Sequence, residues 1–107
     1  MKRTIDFPHL PCTVFVWIGP KIKPMLKWLG KKKQFPDIEL KGYDETACRG
    51  FCVDLGAYQL VWVSETDIGL IAHELNHAVM GMMKHTDIND EEFHCYTLQY
   101  LMNQVVE

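Results

Sequence analysis

The sequence predicts an α+β domain in which a small β-sheet packs on two C-terminal helices. Three observations predict this class. Short β-branched and aromatic segments bounded by proline and glycine occur in the first half, apolar residues at helical spacing dominate the second half, and no repeat or long linker divides the 107 residues. Because that length suits one domain, we place a single domain at residues 1–107.

The strands come early in the chain. Thr13–Ile18 is β-branched and aromatic, and it lies between proline and glycine punctuation, which predicts a strand. Arg49–Leu55 and Ala57–Ser64 are separated by Gly56 and predict a hairpin. The segment between residues 34 and 46 is typical of a loop, with a short strand expected at Ile38–Lys41.

A basic helix is predicted within Pro20–Lys33, ending near Gly30, with Pro24 in its first turn. Its lysines, together with Trp28, resemble a nucleic-acid footprint, but a solvated lysine face explains the same residues. The sequence pI of about 5.9 and the lack of a recognised base-reading module argue against a nucleic-acid partner.

Two longer helices follow. The first is expected from Asp67 to about Lys84, capped by Ser64 or Thr66, and the last from about Asn89 to Val106. Within the last helix, an apolar stripe is expected to face the interior: Cys95, Leu98, Met102 and Val105.

No apolar run approaches the ~18–20 residues that cross a bilayer, so no membrane partner is expected. The short apolar stretch after the basic start has no small-residue cleavage site, which indicates a cytoplasmic protein. Reduced thiols are therefore expected at all four cysteines, which are Cys12, Cys48, Cys52 and Cys95.

The strongest motif is His73-Glu74-x-x-His77 inside the first of the two long helices. Helical geometry places the two histidines ~40° apart on one face, so both imidazoles can reach one metal ion. Glu74 lies beside that position, where it could hold a water molecule on the metal and accept its proton. Apolar residues flank the motif on both sides, which predicts a helix buried between two layers and two buried histidines. The apolar ridge opposite the histidines comprises Ile71, Leu75, Ala78 and Met82.

A zinc site of this type needs a third protein ligand, and the last helix offers three candidates. Glu92 begins the pattern Glu92-x-x-Cys95-Tyr96, in which a small residue would allow close helix approach and a tyrosine hydroxyl could orient a ligand. Glu91 competes because it is aligned with the expected interior stripe, where an uncoordinated carboxylate would be costly. His94 is the weaker third candidate.

The motif together with the Glu92-x-x-Cys95-Tyr96 segment resembles the gluzincin type of zinc metallopeptidase, and most closely the very small single-domain metallopeptidase-like proteins of bacteriophages. The resemblance covers about residues 58–106. It implies a minimal zincin-like fold, with His73, His77 and Glu92 as zinc ligands and Glu74 as general base. Cys95 replaces the usual alanine, and the doubled Glu91-Glu92 departs from the pattern.

The resemblance therefore implies a zinc metalloendopeptidase acting on a peptide or protein substrate, in a host cytoplasm if phage-encoded. It also implies that an edge strand beside the cleft pairs with an extended peptide, a part that Arg49–Asp54 or Tyr58–Val63 would play. The alternative is a zinc-binding interaction protein on the same scaffold without hydrolytic activity.

Overall fold

The computed structural model describes residues 1–32 and 44–106, and it confirms an α+β domain with a four-stranded sheet and three helices. The strands are β1 (Lys2–Asp6), β2 (Thr13–Ile18), β3 (Gly50–Leu55) and β4 (Tyr58–Val63). The helices are α1 (Lys23–Gly30), α2 (Ile68–Thr86) and α3 (Glu91–Val105). The strand expected at Ile38–Lys41 lies outside the described residues.

The sheet has the order β1-β2-β4-β3, so β3 forms one edge of the described sheet. β2 and β4 are parallel, whereas β1 pairs with β2 and β3 pairs with β4 in antiparallel fashion. The predicted hairpin is confirmed, and its turn contains Gly56 at φ 76°, a left-handed conformation that glycine adopts without a steric penalty. The sequence did not predict β1, because Ile5 is the only buried residue in this short strand.

The two faces of the sheet carry separate apolar clusters. On one face, alternate strand residues such as Val61 and Val63 pack against α2, and α3 packs on α2. On the other face, α1 contributes Met25 and Leu29 to a cluster that surrounds Trp62. Helices therefore cover both faces of the sheet, and α2 is the helix that lies beside edge strand β3.

The helix boundaries differ from the prediction mainly at the start of α2. Neither Ser64 nor Thr66 is the cap: Asp67 occupies the cap position, and its carboxylate accepts a hydrogen bond from the backbone N–H of Leu70 at 3.0 Å. Asp90 caps α3 in the same way, so α3 begins after Asn89 rather than at it. The basic helix begins at Lys23, and its proline lies in the first turn as predicted.

None of the helices in the described ranges is long and apolar enough to cross a membrane. The four cysteines are unpaired in this structure.

Candidate metal centre

The packing of α2 determines where the motif lies. The predicted apolar ridge is confirmed: Ile71, Leu75, Ala78 and Met82 are at most 1% exposed and face the sheet. Helical periodicity then places His73 and His77 on the side of α2 away from the sheet. Glu74 lies between these two sides of the helix, on the flank that borders β3.

The motif residues form a compact donor group. The rings of His73 and His77 have centroids 4.9 Å apart, and one ligand atom from each histidine and from Glu74 all lie within 4.8 Å of one another. His73 Nε2 is 3.9 Å from Glu74 Oε1. Two imidazoles four residues apart on a helix suit zinc as ligands, and a carboxylate beside them could hold and deprotonate a water molecule.

The expectation that both histidines are buried is wrong. The His73 side chain is 67% exposed, and His77 is also exposed, whereas the Glu74 side chain is only 6% exposed. The reason is that the sheet covers one side of α2 and α3 covers only part of the other. Solvent and ligands can thus reach the imidazoles, and the carboxylate is the desolvated member of the group.

Burial raises the pKa of the Glu74 carboxyl above its ordinary value, and the neighbouring histidines partly oppose this change. Gly50 of β3 lies directly against this side chain, since a Cβ atom at position 50 would be 3.3 Å from Glu74 Cγ. That Cβ atom would also be 3.0 Å from the backbone oxygen of Trp62. A glycine therefore allows the edge strand to pass close to the glutamate.

A groove of about 640 Å³ runs between β3 and α2 and has Glu74 and His77 in its wall. Its other lining residues are Gly50, Phe51, Cys52, Asp54, Met80, Gly81 and Lys84. Of the two segments predicted to supply the edge strand, Arg49–Asp54 contributes most of β3 and lies at the edge. Tyr58–Val63 is β4, which is paired on both sides and is unavailable to a further strand.

The thiol of Cys52 in this groove is neutral at physiological pH. Burial, with smaller contributions from the charges of Glu74 and Asp54, raises its pKa to about 12. A thiol in this state is neither a ready nucleophile nor a ready metal ligand.

A buried amide lies beneath the groove. Gln59 of β4 is fully buried, and its Nε2 donates hydrogen bonds to Asp54 Oδ1 at 2.7 Å and to the Gly56 carbonyl at 3.0 Å. The amide reaches α2 at Gly81, where a Cβ atom would be 2.5 Å from Gln59 Oε1. Sequence reasoning missed this arrangement, although a glutamine within an otherwise apolar strand and a glycine within a helix were both visible signals.

Helix α3 contributes none of its candidate ligands to the donor group. Among the described residues that group consists of His73, Glu74 and His77. Glu91 and Glu92 lie exposed in the first turn of α3. The third ligand, Glu92 by resemblance, stays a prediction.

The expected interior stripe of α3 is confirmed in part. Val105 is buried, and Leu98 and Met102 are partly buried against the same core, whereas Cys95 is exposed. The other buried residues of the helix are Thr97 and Leu101. Tyr96 is 66% exposed and lines a separate pocket with Phe7 and other aromatic residues. The buried face is therefore rotated slightly from the expected stripe, which is sensitive to a one-residue error in where the helix begins.

His94 is the α3 candidate that faces the motif helix. Its Nε2 atom lies 2.5 Å from Oδ1 of Asn76, a residue that lies between Glu74 and His77 in the motif. This contact joins the first turns of α3 to the middle of α2. It places the N-terminal region of α3 beside the segment that carries His73, Glu74 and His77.

No protein-family model, curated protein or solved structure matches this chain.

Proposed function

We propose that this protein is a minimal zinc metallopeptidase, with zinc held by His73, His77 and a third ligand from the start of α3. The observation that carries the proposal is that two members of the donor group, Glu74 and His77, lie in the wall of a groove beside an edge strand. A metal site that had only a structural role would not need an open groove. A peptidase needs both a donor group and room for an extended chain.

When bound, zinc would polarise the substrate carbonyl and lower the pKa of a coordinated water molecule towards ~7. Glu74 is the general base in this proposal. Its carboxylate is 6% exposed and lies beside both histidines in the wall of the groove, where a water molecule on the metal would be within its reach. It would accept a proton from water and deliver it to the amine leaving group.

Strand β3 would position the substrate. It is six residues long, or about 20 Å at ~3.3 Å per residue, and it forms one edge of the described sheet. An extended peptide that added to this edge would pair with backbone N–H and C=O groups while every second side chain pointed towards α2. Gly50 would then bring the peptide backbone close to Glu74.

Replacement of Glu74 by glutamine tests the proposal. Glu74→Gln should retain zinc, because the carboxylate is not a proposed ligand, and should reduce peptide hydrolysis roughly 10²–10⁴-fold. The assay follows cleavage of an unfolded protein by mass spectrometry, with zinc content measured on the same samples. Equal turnover by the two proteins would refute the role of Glu74.

One observation favours a second function, that of a zinc-binding interaction protein without hydrolytic activity. The donor group contains two histidines and the proposed base, whereas Glu91 and Glu92 stand exposed outside it. Stoichiometric zinc binding with no cleavage of any unfolded substrate would support this function instead.

A further inference from the structure

We propose that the end of the groove remote from Glu74 is a charge-selective subsite, in which Asp54 binds a basic side chain of the peptide. This inference rests on the proposed function for the identity of the ligand as a peptide. It adds a specificity that neither the motif nor the metal site requires.

The carboxylate of Asp54 is held in a fixed orientation. Its Oδ1 atom accepts hydrogen bonds from Gln59 Nε2 at 2.7 Å and from the backbone N–H of Gly56 at 3.0 Å. The glutamine cannot move freely, because it is fully buried beneath Gly81. No described residue donates a hydrogen bond to Oδ2, so one oxygen of an oriented carboxylate is available in the groove wall.

Asp54 is ionised at neutral pH. Partial burial raises the pKa of Asp54, but the hydrogen bonds from Gln59 and the Gly56 backbone, together with nearby positive charge, outweigh it and hold the pKa below its ordinary value. That positive charge comes from Lys84 and His85. A preorganised anion of this kind favours a cationic partner, because little rotamer entropy is lost on binding.

The spacing along β3 places this anion within reach of the same bound peptide. Gly50, Cys52 and Asp54 alternate along the strand and line the groove together. Gly50 lies against Glu74, and Asp54 lies four residues further on, about 13 Å at ~3.3 Å per residue. If a peptide paired with β3, the bond to be cleaved would lie beside Glu74. The peptide side chain that meets Asp54 would then lie about four residues from that bond.

Lys84 also lines the groove and carries the opposite charge to Asp54. Whether the groove prefers a basic or an acidic peptide side chain therefore depends on which of the two residues pairs with the peptide more favourably. The Lys84 side chain is exposed and forms no ion pair with any residue that the structure describes. A lysine on a flexible four-carbon stem loses more freedom on binding than the anchored carboxylate of Asp54. The groove should thus select a basic peptide residue, and Lys84 should weaken that selection by competing for Asp54.

Peptide binding to the Glu74→Gln protein tests the subsite without cleavage. The probes are fluorescein-labelled decapeptides of alanine and serine in which a single Lys, Gln or Glu occupies each position in turn, measured by anisotropy. At one peptide position, Lys should bind roughly tenfold more tightly than Glu. The difference combines the attraction of Asp54 for the Lys side chain with its repulsion of the Glu side chain. Asp54→Asn should abolish the preference for Lys, because it removes the negative charge while the Asn side-chain oxygen still accepts both hydrogen bonds.

The matched control is Asp87→Asn, which removes the same charge from an exposed residue after α2 that does not line the groove. It should leave the preference unchanged, and Lys84→Met should increase it. Equal binding of Lys and Glu peptides, a Glu preference, or an equal loss in the Asp87→Asn protein would overturn the subsite. The two proposals can fail separately. If the Lys peptide binds more tightly but the wild-type protein cleaves neither these peptides nor an unfolded protein, the peptidase proposal is wrong and the subsite stands.

Discussion

Gly81→Ala should destabilise the protein, because the added methyl group would meet the buried amide of Gln59. The new Cβ atom would lie 2.5 Å from Oε1, 2.7 Å from Nε2 and 2.8 Å from Cδ of that side chain. Since ordinary contacts with carbon are about 3.5–4.0 Å, the amide would have to withdraw by about 1 Å. It would then strain or lose its hydrogen bonds to Asp54 and Gly56.

The expected cost is the difference between two effects. Overpacking and disrupted buried hydrogen bonds cost about 2–3 kcal/mol, and alanine in place of glycine within a helix recovers about 1 kcal/mol. The net loss of about 1–2 kcal/mol corresponds to a Tm lower by roughly 5–15 °C for a domain of this size. Urea denaturation followed by circular dichroism measures the free energy of unfolding directly.

Two further variants test the cause. Gly30→Ala is the control, since a Cβ atom there would meet nothing within 4 Å, and it should be neutral or slightly stabilising. In a Gln59→Ala background the methyl group at position 81 has no amide to displace, so its cost should disappear. Wild-type stability of Gly81→Ala, or the same cost in the Gln59→Ala background, would refute this reasoning.

Two other predictions concern helix termini. Asp67→Ala should lower the Tm at pH 7, and Asp67→Asn should lower it much less, because asparagine can also cap a helix. The hydrogen bond from the Leu70 backbone and the contact with Arg49 lower the pKa of Asp67. The Tm difference between wild type and Asp67→Ala should therefore shrink as the pH falls below 3.8, because the carboxylate loses its stabilising effect when it is protonated. A deficit that does not change with pH in thermal scans would contradict this. Glu92→Ala should weaken zinc affinity at least tenfold and Glu91→Ala much less, as measured by separate zinc titrations; the reverse order would make Glu91 the third ligand.

Much of the fold could be predicted because the periodicity of its apolar residues is strong. The β-branched and aromatic composition of Thr13–Ile18 and the hairpin around Gly56 predicted β2, β3 and β4 within one or two residues. The ridge from Ile71 to Met82 predicted the buried face of α2. Strand β1 was not predictable in this way, because its neighbour β2 and not its own pattern stabilises it as a strand.

The site was predictable only as far as one helix determines it. The spacing of His73 and His77 requires only helical geometry, and the structure brings their ligand atoms together with that of Glu74. The burial of these residues depends on which elements pack around the helix, so the exposure of the histidines was missed. The groove likewise depends on tertiary contacts that join Gln59 to Gly81, residues 22 positions apart in the sequence.

The central claim is that His73 and His77 hold a metal ion, and zinc stoichiometry tests it most directly. Elemental analysis of untagged wild-type protein, dialysed after incubation with zinc, should give one zinc per chain. His73→Ala and His77→Ala should each abolish this binding, because two remaining ligands rarely retain zinc against buffer. His85→Ala is the control, since this histidine lies outside the donor group, and it should retain the metal. Full zinc occupancy in a protein that lacks both motif histidines, or no zinc in the wild-type protein, would contradict the account.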